Sequence, residues 1–183
     1  MVRIAAIETA RLRMRPYVES DVDALHRLWT DADVRRYLWD DKVIDRAMAD
    51  ETMRGSMQST AEQGFGHWAV CPPASDVLIG FCGLKTMDES ADVELLYGFL
   101  PAYWRRGLAT EAAHAMLRFA FEEHGKPRVY AITDTPNLAS AAVMQRLGMQ
   151  FEKRYDYNGL DSVRYVILRD AFVPGDVPYT LRA

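Results

Sequence analysis

Charged and apolar residues alternate along RLRMRPYV, residues 11 to 18, and side chains that change face at every residue make this a half-buried strand. Ser20 or Asp21 then caps a helix reaching about residue 29, with Val22, Leu25 and Leu28 at helical spacing. A short turn is expected around DADVRRYL. A second helix, only loosely amphipathic, is expected from Val43 to Gln63, ended by Gly64 and Gly66. HWAVC, VLIGFCGL and VELLYGFL follow as three strands, separated by turns at PPASD and MDESAD, which is the pattern of an antiparallel meander.

From Leu108 to His124 the apolar positions spread almost all round, as in a helix buried on most sides, with Gly125 at its C-cap and Pro127 just beyond. RVYAITD reads as a strand and TPNLASAAVMQRLG as a short helix from Asn137 to Gly148. QFEKRYDYN and SVRYVILRD form a hairpin turned by Asn158-Gly159. Strand, helix, strand and helix in succession between about 93 and 148 imply parallel neighbours, whereas the first half is antiparallel, so the sheet is mixed. No linker or repeat divides the chain. One domain of 1–183 is expected, with its core over 8–170 and a Pro- and Gly-containing tail at 171–183.

The junction WRRGLATEA, residues 104 to 112, stands where a strand becomes a helix. The first N–H groups of a helix have no partner inside it, and the helix dipole makes that end attractive to anions. A glycine followed by small residues there suits an anion brought close to the backbone, although the same residues also suit a plain turn and a good helix start.

Composition narrows the function classes. The 183 residues are 49% hydrophobic, enough for a full core without metal or disulfide support. A net charge of −4 and the lack of any basic run argue against nucleic acid as a partner. No segment approaches the roughly 18 apolar residues of a membrane span, and no targeting segment is evident, so a cytoplasmic protein with no membrane partner is expected. Cys71 and Cys82, outside any CxxC, read as reduced core thiols. Four histidines without ligand spacing make a metal site unexpected, and no GxSxG elbow supports serine hydrolysis.

VELLYGFLPAYWRRGLATEA, followed by TPNLAS and then LGM, resembles the GNAT superfamily of acetyl-CoA-dependent N-acetyltransferases, most of all its RimJ/RimL branch. The likeness runs from ETARLRMRP at position 8 to RYVILRD at 170. It implies an α/β (α+β mixed) fold: a mostly antiparallel sheet of six to seven strands, splayed between strands 4 and 5, with helices on both faces. It also implies acetyl-CoA as co-substrate and no metal. The pyrophosphate would lie on the backbone of Arg106, Gly107, Leu108, Ala109 and Thr110, with Arg105 and Arg106 adding charge. Main-chain groups of Gly98, Phe99 and Leu100 would meet the pantetheine arm, and Asn137 would bond it as well as capping its helix. Trp104 stands where most of the superfamily has Gln or Arg, as it does in the branch. Met144 stands where many members have a tyrosine acid, and Ser140 matches a serine assigned that role in the branch.

Amide formation from a thioester needs a neutral amine and a thiolate that can leave. A thiol of pKa ~8.5 leaves tolerably without an acid, but deprotonating a lysine at pH 7 costs about 4.6 kcal/mol against about 1.4 for an α-amine near ~8. A weakly equipped site therefore favours α-amines. Glu94 is the candidate base, with Tyr97 and His67 in reserve; Glu111 is already explained by its place in a first helical turn. An acceptor entering past the first two helices would meet Trp29, Tyr37, Trp39, Asp40 and Asp41, and Tyr97 on the strand. The partner is then a peptide or small-molecule amine, and a homodimer stays open. The alternative is an acyl-CoA-binding or sensing module that performs no transfer.

Overall fold

The computed structural model describes residues 5–86 and 92–183; the MDESAD turn lies almost wholly outside the described residues. Among the described residues nine strands form a single sheet: β1 (Ala6–Glu8), β2 (Arg13–Pro16), β3 (His67–Cys71), β4 (Gly80–Thr86), β5 (Val93–Phe99), β6 (Arg128–Asp134), β7 (Gln150–Tyr157), β8 (Leu160–Leu168) and β9 (Thr180–Arg182). Five α-helices accompany them among the described residues: α1 (Val22–Thr30), α2 (Ala32–Leu38), α3 (Arg46–Gln63), α4 (Leu108–Arg118) and α5 (Leu138–Arg146). The strand order is β7-β8-β6-β5-β4-β3-β2-β1-β9, and every neighbouring pair is antiparallel except β5 and β6.

The sheet thus exceeds the six or seven strands expected, because β1 and β9 have three residues each, too few for an alternating pattern to register. The tail is not merely a tail: β9 closes the sheet edge against β1. DADVRRYL is a helix, not a turn. Asp31 accepts hydrogen bonds from the Asp33 and Val34 N–H groups, an N-cap that starts α2 immediately after α1 ends. The next helix begins at Arg46 rather than Val43, since Asp45 caps it by accepting from the Met48 N–H at 2.8 Å. The long central helix keeps α geometry to Arg118 and finishes in a wider turn over 119–123, with the His124 N–H reaching the Phe119 carbonyl.

Alternating side chains put two apolar layers on the two faces of the sheet. Met14, Trp68, Val70, Leu84, Val93, Leu95, Val129 and Ile167 pack under α4 and α5. Ala69, Cys71 and Phe81 pack against α1, α2 and α3 with Leu25, Leu28, Trp29 and Met53. Cys71 and Cys82 are free and buried.

Glu111 ties the first strands to α4. Its carboxylate accepts from the Thr9 hydroxyl at 2.6 Å, the Arg11 N–H at 2.9 Å and Arg11 Nε at 2.6 Å, with its side chain 9% exposed and that of Arg11 51%. Hydrogen bonds to a charged group contribute about 1.5–3 kcal/mol each when buried, and the half-exposed guanidinium discounts its share. Glu111→Ala is therefore expected to lower unfolding stability by about 2 kcal/mol in urea titration, by leaving the Arg11 N–H without its acceptor and the Thr9 hydroxyl with only the longer bond to the Leu12 carbonyl, at 3.3 Å. The pH profile of turnover is expected to stay unchanged.

Candidate active site

β5 and β6 each have seven residues but pair only at Val93 with Val129 and Glu94 with Tyr130. Beyond Glu94 the strands part, opening a slot through the sheet. The chain that leaves β5 turns into α4 and the chain that leaves β6 turns into α5, so both helix N-termini flank the slot. A cleft of about 1500 Å³ follows it, lined by Glu94, Tyr97, Gly98, Phe99, Arg105, Gly107, Leu108, Ala109, Thr110, Asn137 and Ser140 among others. It brings most of the sequence-derived candidates to one place.

At the α4 end the backbone is shaped for an anion. Gly107 has φ 75° and stands at the N-cap without a capping side chain, and the Glu111 N–H donates the first helical bond, to the Gly107 carbonyl at 3.0 Å. The Leu108, Ala109 and Thr110 N–H groups find no acceptor among the described residues. Three donors facing one way at the positive end of a helix dipole can hold a diphosphate. The loop is braced from both sides. Trp104 Nε1 donates to the Phe99 carbonyl at 2.6 Å, and Arg11 Nη1 donates to the Arg106 carbonyl at 2.8 Å. Between these anchors Arg105 adopts φ 59°, a left-handed conformation uncommon outside glycine. Arg106 lies over the Tyr103 ring, 5.6 Å from its centroid, and does not line the cleft.

The two faces of β5 serve two sides of the slot. Tyr97 shares a face with Leu95 and Phe99 and reaches α5, where its hydroxyl lies 3.0 Å from Ser140 Oγ. Asn137 caps α5 by accepting the Ser140 N–H at 3.2 Å, which leaves its amide donors for other partners. Glu94 shares the opposite face with Leu96, opposite Lys85 on β4. Burial pushes its carboxyl above the ordinary glutamate range, partly offset by the Lys85 ammonium.

The main chain of β5 is divided in the same way. Leu100 donates its N–H to the Ile79 carbonyl at 3.0 Å and packs with the α1–α3 layer, so it does not line the cleft. Alternation turns the main-chain groups of Gly98 toward β4 and those of Tyr97 and Phe99 toward the slot. Of the stretch Gly98, Phe99 and Leu100, the Phe99 N–H faces the opening, while the Phe99 carbonyl is engaged by Trp104.

On the α1–α3 side, Tyr37 and Asp40 line the cleft, but Trp29 and Trp39 do not. Trp29 is 2% exposed and packs edge-on against Trp39 and Phe81, with centroids 5.8 and 6.1 Å away, so it belongs to the core. Asp41 pairs with Arg35 at 3.1 Å. His67 is partly buried outside the cleft, and the loss of water around its ring, with the Lys85 ammonium nearby, lowers its pKa to about 4, so it stays neutral near pH 7. Sequence reasoning missed Asp134, Arg146 and Asp176–Pro178, which also line the cleft, and Arg11, whose link to the loop spans 95 residues and left no local signal.

The acetyltransferase (GNAT) domain profile matches residues 11–150, more than half of the chain. The chain is a GNAT-family acetyltransferase. The enzyme is similar to the FsC-acetyl coenzyme A-N(2)-transacetylase of Aspergillus fumigatus, 28% identical over 194 residues that cover 97% of this chain and 82% of that one. Its fold is that of a GNAT acetyltransferase from Bacillus anthracis, with TM-score 0.80, 24% identity, and 90% and 99% of the two chains covered. It is also that of RimL, the ribosomal L7/L12 α-N-protein acetyltransferase solved with coenzyme A, with TM-score 0.76, 19% identity, and 89% and 97% covered. Acyl transfer from acetyl-CoA is thus the reaction class of this acetyltransferase. No helix among the described residues is long and apolar enough to cross a membrane, and no group of metal-ligating side chains occurs among them.

Proposed function

We propose that this acetyltransferase moves the acetyl group from acetyl-CoA to a primary amine in a single ternary complex, with the two substrates approaching from opposite faces of the sheet. The observation that carries this reading is the slot between β5 and β6. It joins an anion cradle on the α4–α5 side to a half-buried carboxylate on the α1–α3 side. The donor supplies an activated thioester, and the residues of this chain do the rest.

The Leu108, Ala109 and Thr110 N–H groups would hold the diphosphate, as their lack of acceptors and the open backbone at Gly107 suit. The Phe99 N–H and the Asn137 amide would orient the pantetheine arm. Glu94 would take the proton that the amine releases, directly or through a water, and its raised pKa brings it nearer to the amine's than an ordinary glutamate would be. A covalent acyl-enzyme is not needed. Cys71 and Cys82 are buried, and burial raises both thiols, which keeps them protonated and unreactive. An α-amine is the favoured acceptor because its smaller deprotonation cost, about 1.4 kcal/mol at pH 7, suits a site with one carboxylate.

Calorimetry with coenzyme A, together with release of free thiol from acetyl-CoA over a panel of peptide N-termini and small amines, tests the reading. Heat on binding and amine-dependent thiol release are expected. Binding with no release for any amine would reduce the protein to an acyl-CoA sensor, and no binding would remove the cofactor cleft altogether.

A further inference from the structure

Met144, on α5, lines the cleft but is 1% exposed and carries no proton to give. The cleft nevertheless contains a phenol. Tyr97 reaches it from β5, on the face that packs under α4 and α5, and its side chain crosses the slot to α5. Its hydroxyl lies 3.0 Å from Ser140 Oγ and 3.2 Å from the Ser140 carbonyl. The carbonyl can only accept, so the phenol proton is directed at Ser140 whenever nothing else takes it. The serine hydroxyl, which can rotate, can donate to the phenol oxygen once the phenol proton turns elsewhere. Tyr97 is thus a pre-positioned donor at the throat between the diphosphate cradle and Glu94.

We propose that Tyr97 is the catalytic hydrogen-bond donor to the departing sulfur of the acyl donor, and that Ser140 is a positioning residue that holds the phenol. This rests on the transferase reading above. As the amine nitrogen forms its bond to the acetyl carbon, the carbon–sulfur bond breaks and its electron pair leaves on sulfur. The Tyr97 O–H then points at that sulfur and stabilises the charge. The proton released by the amine passes to Glu94 on the opposite face and finally, through solvent, to the thiolate. The products are the acetylated amine and the free thiol of coenzyme A. Burial raises the Tyr97 hydroxyl above its ordinary range, so it remains protonated throughout the working pH range, as a donor must. Cys82, opposite Tyr97 on the neighbouring strand, is buried and also kept protonated, so it does not compete for the phenol proton as a thiolate.

The test is a comparison of Tyr97→Phe, Ser140→Ala and the parent enzyme. Removing a donor aimed at developing charge is expected to lower kcat about 100-fold while the KM for acetyl-CoA stays within about threefold. Bound coenzyme A provides a second readout. Its thiol, followed by thiolate absorbance against pH, is expected to titrate about one unit lower in the parent complex than in the Tyr97→Phe complex. Ser140→Ala leaves the phenol in place and is expected to cost less than about tenfold in kcat. Tyr97→Phe with unchanged kcat and unchanged thiol titration, while coenzyme A still binds, would overturn the proposal and leave the transferase reading standing. A larger loss in Ser140→Ala than in Tyr97→Phe would make the serine the donor and overturn it equally. Should Tyr97→Phe fold poorly, the thiol titration in Ser140→Ala decides: a thiol shifted as in the parent supports the phenol, and a shift fully lost overturns it.

Discussion

Gly107→Val is expected to weaken coenzyme A binding by about 100-fold or more while leaving the protein folded, because it removes a backbone geometry rather than a contact. A Cβ at this position would meet only Arg11 Nη2, at 3.5 Å, an ordinary van der Waals distance. A clash at Cβ is therefore not the cause. The cost comes from φ 75°, a region that an L-residue enters at about 1–2 kcal/mol and a β-branched one with more strain. The chain relieves that strain by rotating the junction, and the rotation turns the Leu108, Ala109 and Thr110 N–H groups away from a common focus. Each amide to a charged oxygen contributes about 1.5–3 kcal/mol, so losing alignment of two of them is enough for the expected effect. Gly107→Ala, which tolerates left-handed φ better than valine, is expected to lose only about tenfold. Calorimetric titration with coenzyme A, with circular dichroism as the check on folding, measures both. An affinity within about threefold of the parent in the valine variant would detach the cradle from the cofactor.

Glu94→Gln is expected to lower kcat/KM for the amine about 10²- to 10³-fold, the usual contribution of a positioned base. Its pH behaviour separates this role from a structural one. Burial raises the Glu94 pKa above its ordinary value, and the base form exists only above that raised pKa. Activity of the parent should therefore fall as pH falls through it, and this limb should stay in place when the acceptor is exchanged for an amine of different pKa. The amine's own ionisation limb moves with the amine. In Glu94→Gln only the moving limb should remain. Stability should respond in the opposite sense. For a group whose folded pKa is raised, the favourable contribution is present below the unfolded pKa and lost as pH rises through the folded one, where a charge is kept partly out of water. Glu94→Gln should consequently melt higher than the parent near pH 7, and the difference should vanish below about pH 4. Thermal melts across this range check the sign, and a variant with equal turnover and an unchanged profile would take Glu94 out of the chemistry.

Much of the scaffold could be read locally. The meander, the strand–helix–strand–helix half and the hairpin at Asn158-Gly159 are each declared by residues next to one another in the chain. The errors have physical causes. DADVRRYL looks like a loop because its charges hide a single buried residue, Val34, and only the Asp31 cap reveals the helix. Trp29 looks like a site residue because aromatic rings near a loop suit a ligand, but the α1–α2 packing places it against Phe81 in the core. The last three-residue strand exists only because β1 is there to pair with it.

By itself the order of residues determined what is short-range in origin: the periods of helix and strand, the caps, and the glycine that lets a strand turn into a helix with its N–H groups unspent. Folding decided everything that depends on distance through space. It brought Ser140 to within 3.0 Å of a hydroxyl 43 positions earlier. It also used Arg11 to brace a loop 95 residues away. The reason is that backbone geometry is set by each residue and its neighbours, whereas a reactive constellation needs groups whose separation along the chain says nothing of their separation in the fold.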